Sequence, residues 1–195
     1  MNKKNIAIFA SGGGSNALAL MRYFNNHATI QVALIVSNNT SAGVFQKAAD
    51  EGVPAILLSK NEMQATEKVL GVLQDKQIDF IILAGYLLLI PAYLVDHFPN
   101  KIINIHPALL PKYGGKGMHG MHVHEAVFAA KEPESGITIH FVNNEYDKGT
   151  VIFQAKVTLT ETDTAPMIAA KVLALEHYYL PRVVEKVLLS QPVIF

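Results

Sequence analysis

"NIAIFASGGGSNALAL", residues 5–20, decides the fold. An apolar run of strand length leads without interruption into three glycines and a serine, and apolar residues at helical spacing follow. A strand with no polar alternation is buried on both faces, which is the condition of a parallel strand covered by crossover helices. Runs of the same kind recur outward along the chain: QVALIVS (31–37), AILLS (55–59), DFIILAG (79–85) and KIINIH (101–106), with helical patterns between them. The first two-thirds therefore reads as a doubly wound α/β sheet. After Pro133 the pattern changes, because SGITIHFV (135–142) alternates and a polar turn, NNEYDKG, separates it from TVIFQAKVTL (150–159). Those two runs predict an antiparallel pair. A long helix closes the chain, capped by Thr164 or Asp163, running to about Leu189 and kinked at Pro181. The whole is an α/β fold with a doubly wound, mostly parallel sheet, a C-terminal antiparallel strand pair and a long closing helix.

The 195 residues are half apolar, enough to bury one compact core, and a single domain over 1–195 is expected. Lys+Arg and Asp+Glu are 16 each, so no basic face is implied for nucleic acid or an anionic membrane. Small-molecule partners are expected, with the chain a monomer or homodimer. Cysteine is absent, which removes disulfides, thiolate metal sites and thiol nucleophiles. The N-terminal stretch MNKKNIAIFASGGG holds too few apolar residues for a signal-peptide core or a membrane span. A cytoplasmic enzyme is the expectation.

The glycine loop sits where open α/β sheets bind ligand, at the carboxyl end of a strand and the start of a helix. Gly14, Ser15 and Asn16 are candidates to hold a phosphate; the competing reading is a tight turn with Ser15 or Asn16 as helix cap. Gly12, Gly14 and Ala17 also satisfy the loosest dinucleotide fingerprint. That fingerprint asks for an acid after the second strand, and VSNNTSAG (36–43) offers asparagines instead. No Lys-Ser or Lys-Thr follows the last glycine, against a P-loop. A monophosphate fits better than a dinucleotide or a triphosphate.

In KIINIHP, Asn104 and His106 are two apart on a strand and so share a side near its carboxyl end. An amide N–H₂ and an imidazole aimed at one point can hold an oxygen that gains negative charge, without a metal. Pro107 and Pro111 stiffen the exit loop. A structural histidine with a loop-closing asparagine is the alternative the pair alone leaves open.

NIHPALLPKYGG (104–115) resembles the active-site segment of the formyltransferases, with Ala108 where serine is more usual. Together with SGGGSN near the start and HFVNNEYDKG (140–149) downstream, it makes the chain similar over nearly its whole length to the folate-dependent phosphoribosylglycinamide formyltransferases. The resemblance implies a Rossmann-like formyltransferase fold and passage of a formyl group from 10-formyltetrahydrofolate, as co-substrate, to the amine of a ribonucleotide with one phosphate, in purine synthesis. It implies no metal. It makes Asn104 and His106 the groups that polarise the formyl oxygen, with Asp147 assisting His106; a carboxylate there is expected to raise the imidazole pKa. Glu176, set among apolar positions of the last helix, is matched to the contact with the substrate amine. Leu87, Leu88, Leu89 and Ile90 are matched to the pterin pocket, closed by the turn bearing Asn143 and Asn144. Leu87-Leu88 stands where Met-Arg is common in the family. His119, His122 and His124 invite a metal reading, but a glycine-hinged loop running into a helix suits GGKGMHGMHVHEAV (114–127) better. The readings that compete are a formyltetrahydrofolate-hydrolysing relative and a non-catalytic dinucleotide-binding module.

Overall fold

A computed structural model describes residues 3–195. Strands β1 (Lys4–Phe9), β2 (Ile30–Ser37), β3 (Ala55–Leu57), β4 (Ile78–Leu83), β5 (Ile102–His106), β6 (Glu134–Phe141) and β7 (Val151–Thr158) form one sheet, in the order β3-β2-β1-β4-β5-β6-β7. Helices α1 (Ser15–Phe24), α2 (Val44–Asp50), α3 (Thr66–Asp75), α4 (Ala92–His97), α5 (Met121–Ala129) and α6 (Ala165–Leu188) are interleaved with them. The chain divides into two compact units, 1–103 and 104–195.

In the first unit β1 lies between β2 and β4 and runs parallel to both, and β2 runs parallel to β3. Ile6, Ala7, Ile8 and Phe9 are wholly buried, as are Leu34, Ile35 and Val36. This is what the unbroken apolar runs require: no position of a strand covered on both faces meets water. Each large aliphatic side chain so buried contributes roughly 1.5–3 kcal/mol. Strand order reverses at β1, because the chain winds outward through β2 and β3 and then returns to β4 on the other side.

In the second unit β6 and β7 pair antiparallel, Glu134 opposite Thr158 through Ile139 opposite Phe153. Helix α6 packs against β6 and α5 with Ile168, Val172, Leu180, Val183 and Val184 inward. It runs unbroken through Pro181. The proline leaves the His177 carbonyl without its helical donor, on an exposed turn where water can serve it. One residue on, the Arg182 guanidinium donates to Tyr178 O at 2.6 Å and stacks over the Tyr178 ring. Thr164 stands at the N-cap of α6, though its side chain makes no capping bond.

Candidate active site

In the first unit, the glycine loop and the 84–90 segment leave adjacent strands at the point where strand order reverses, the place such sheets present to ligands. The cap of α1 is neither Ser15 nor Asn16 but Gly14, at φ 72°, with no side-chain hydrogen bond. The reason is steric: a Cβ at Gly14 would sit 2.6 Å from Val44 Cγ2, so the chain passes close to α2 in a conformation that glycine alone takes freely. Gly14, as cap, offers α1 no side-chain acceptor, and exposed Ser15 and buried Asn16 follow it in the first turn. A Cβ at Gly12 or Gly13 would meet nothing within 4 Å, so that face of the loop is open. Beyond β4, Leu87 and Leu89 are 47% and 44% exposed, Leu88 is half-buried and Ile90 is buried. The apolar triplet is thus a solvent-facing loop and not core.

In the second unit, one carboxylate organises the residues at the end of β5. Asp147 Oδ1 accepts from Asn104 Nδ2 at 3.3 Å, and Oδ2 lies 3.6 Å from His106 Nδ1. Asn104 and His106 do share a side of the strand, with Ile105 buried on the other. Oδ2 also accepts the Gly115 N–H at 2.8 Å, tying the carboxylate to the loop before α5. Asp147 holds φ 55°, a left-handed conformation that aspartate tolerates better than most residues. Gly149, two residues on, has no alternative: a Cβ there would lie 1.6 Å from Phe141 O.

The two donors do not point at an open space. His106 Nε2 lies 2.7 Å from Tyr113 O, and because a carbonyl only accepts, this nitrogen carries the proton. Asn104 Nδ2 also lies 3.1 Å from His140 Nε2, which is itself 3.6 Å from Asp147 Oδ1, while His140 Nδ1–H donates to Phe141 O at 2.8 Å. An oxygen arriving at His106 must therefore replace the Tyr113 carbonyl.

Electrostatics correct one expectation. The His106 pKa lies below the ordinary 6.5, not above it: burial of a side chain 4% exposed outweighs the Asp147 charge and the Tyr113 hydrogen bond, and His140 adds a further lowering. Burial also pushes the Asp147 carboxyl up, but His140, the His106 charge and the Gly115 N–H together hold it below its usual range. The resting pair is a neutral imidazole and an ionised carboxylate.

Glu176 is buried at 8% exposure on the packed face of α6, where its spacing puts it. The Asn143 side chain is used within its own turn, accepting from Glu145 N–H and donating to Lys148 O, while Asn144 is exposed. His122 pairs with Glu125 at 3.5 Å, and His124 turns inward on α5 beside Val123 and Val127. Among the described residues no group of three or more His, Asp or Glu is arranged to hold a metal ion, and no helix is long and apolar enough to cross a membrane.

His140 and the Tyr113 carbonyl are not legible as site residues. Alternation along SGITIHFV sets His140 on the same face as Thr138, a polar face in an otherwise apolar strand, and that was the available signal. A backbone carbonyl leaves no trace in sequence.

The formyl transferase family profile matches residues 4–184. The chain is 40% identical over 181 residues to the chloroplastic phosphoribosylglycinamide formyltransferase of Arabidopsis thaliana, covering 90% of this chain and 62% of that one. It is 32% identical over 190 residues to the phosphoribosylglycinamide formyltransferase of Bacillus subtilis, covering 95% of each. The crystal structure of the enzyme of that name from Bacillus halodurans superposes with a TM-score of 0.85 at 34% identity, covering 95% of both chains. The chain thus spans about three-fifths of the chloroplastic relatives, at 62% and 61%.

Proposed function

Since this chain belongs to the formyl transferase family, among the phosphoribosylglycinamide formyltransferases, we propose that it transfers the formyl group of 10-formyltetrahydrofolate to the amine of 5'-phosphoribosylglycinamide. The observation that carries the reading is the Asp147 carboxylate bridging Asn104 and His106. The amine nitrogen attacks the formyl carbon, and the carbonyl π electrons move to oxygen. His106 Nε2–H, released from Tyr113 O, and an Asn104 Nδ2–H, turned away from His140, donate to that oxygen, where each donor contributes most once charge has developed. Asp147, 3.6 Å from the unprotonated Nδ1, stabilises the imidazole when that nitrogen gains a proton. The same carboxylate draws off the amine proton through water as the intermediate collapses and expels the folate nitrogen, which takes up a proton in return. No metal is needed for these steps.

Gly14, Ser15 and Asn16 take the ribonucleotide phosphate, supported by the side-chain-free glycine cap of α1 and the open face at Gly12 and Gly13. Glu176 takes the glycinamide end. Leu87, Leu88, Leu89 and Ile90 receive the pterin, the exposed leucines giving it apolar cover, and Asn143 and Asn144 are assigned to the folate by the family resemblance. In this reading residues 1–195 act as one formyltransferase domain, cytoplasmic, as a monomer or homodimer on small molecules, with no role for nucleic acid.

Thermal stabilisation tests the assignment of ligands. At a hundred times its dissociation constant a ligand stabilises the native state by about 2.7 kcal/mol. A glycinamide ribonucleotide analogue and a folate should each raise the melting temperature, and NAD should leave it unchanged. A rise with NAD alone would replace this reading with a dinucleotide-binding module.

A further inference from the structure

Ser11 is the last residue before the three glycines and is 5% exposed, yet the chemistry above makes no use of it. Four hydrogen bonds meet there. Its N–H donates to Gly85 O at 3.0 Å, and its carbonyl accepts from Asn39 Nδ2 at 3.2 Å. Its hydroxyl donates to Asn38 Oδ1 at 2.5 Å and accepts the Leu87 N–H at 2.9 Å. The first two bonds use the backbone, and any residue could make them. The last two need a hydroxyl, because one atom must accept from an amide and donate to a carbonyl at once. Leu87 N–H can only donate, so the single Ser11 proton goes to Asn38 Oδ1, and this fixes which way the Asn38 amide faces.

Through this one oxygen the ends of three strands are joined: β1 at Ser11, β2 at Asn38, and β4 at Leu87. The segment it holds on the β4 side lies outside any helix or strand, turns at Gly85 with φ 77°, and carries the exposed Leu87 and Leu89. Tyr86 and Ile90 are buried on either side of this stretch, Tyr86 edge-on to Phe9, and between them the Leu87 N–H is held by the Ser11 hydroxyl. The segment it holds on the β1 side is the glycine loop.

We propose that Ser11 is a positioning residue for folate: its hydroxyl sets the backbone of residues 85–90 relative to the glycine loop, so that folate affinity depends on a side chain that does not touch folate. The inference rests on the assignment of residues 87–90 to the pterin. If the hydroxyl merely closed two loop ends, its loss would lower stability and leave ligand affinities alone.

The test is direct titration of folate binding to wild type, Ser11→Ala and Ser11→Thr, with melting temperatures and amide exchange at Leu87 measured alongside. One uncharged hydrogen bond corresponds to roughly a three- to tenfold change in an equilibrium constant. Ser11→Ala is expected to weaken folate by about that factor, affect the ribonucleotide less, and speed exchange at Leu87; Ser11→Thr, which keeps the hydroxyl, restores folate affinity. Unchanged folate affinity in Ser11→Ala, or an equal loss for both ligands, overturns the inference. Because the titration needs no turnover, a wild-type protein that binds folate but transfers no formyl group would contradict the proposed reaction and still let Ser11→Ala decide this point.

Discussion

His106 is neutral at rest because burial outweighs the carboxylate beside it, and this fixes how it can work. A neutral imidazole with its proton on Nε2 is a hydrogen-bond donor to an oxyanion. Its other nitrogen faces Asp147, ready to be stabilised if it gains a proton. One oxyanion donor is worth roughly 10²–10³ in rate. His106→Ala and Asp147→Asn should each lower turnover by at least about a hundredfold on that scale, with the fold intact by circular dichroism. Asparagine tolerates the left-handed backbone at position 147 as well as aspartate does, so that variant removes the charge with little added strain. Turnover near wild type in either would remove the residue from the mechanism. Any step that His106 titration imposes on the pH profile of kcat/KM should fall below pH 6.5, the ordinary histidine value, because the free enzyme's imidazole resists protonation. A step above 6.5 would mean that the carboxylate dominates after all.

At the scale of elements, the glycine loop separates two demands on one residue type. Gly14→Ala puts a Cβ into Val44 at a positive φ and should destabilise the protein by at least about 1 kcal/mol. Gly12→Ala meets no protein atom, so its melting temperature should stay near wild type while the KM for the ribonucleotide rises. Equal destabilisation by both would make the loop a turn and nothing more. The strands could be read because each is an unbroken or alternating apolar run, and the observed ends fall close to the runs: 30–37 for QVALIVS and 151–158 for TVIFQAKVTL. The cap of α1 could not, because the contact that excludes a side chain at Gly14 comes from α2, thirty residues on. Asn104 and His106 were legible as a pair from strand alternation. Their present partners were not: Tyr113 offers a carbonyl, and His140 comes from another strand. The direction of the His106 shift was missed because sequence displays the neighbouring carboxylate and hides the depth of burial.

For the whole molecule, buried titratable groups tie stability to pH. His106 and His124, both buried, have pKa values lowered first by burial. Each binds fewer protons folded than unfolded below about pH 6.5, so its stabilising contribution is complete above that pH and is lost as pH falls toward the folded pKa. Asp147 acts in the same sense further down, contributing above about 3.8 and losing it as pH falls through its lower folded value. The melting temperature should therefore decline between pH 7 and pH 5, and His106→Asn should flatten the decline. An unchanged slope would mean that His106 titrates alike in both states. Beyond stability, the central claim is one of chemistry, a formyl group moved between two small molecules. The direct measurement follows carbon-labelled formyl from 10-formyltetrahydrofolate in the presence and absence of 5'-phosphoribosylglycinamide. Label should appear in the ribonucleotide as a formamide, with tetrahydrofolate released one for one and no turnover when the amine is omitted. Label released as formate at the same rate without the ribonucleotide would make the protein a hydrolase and contradict the account.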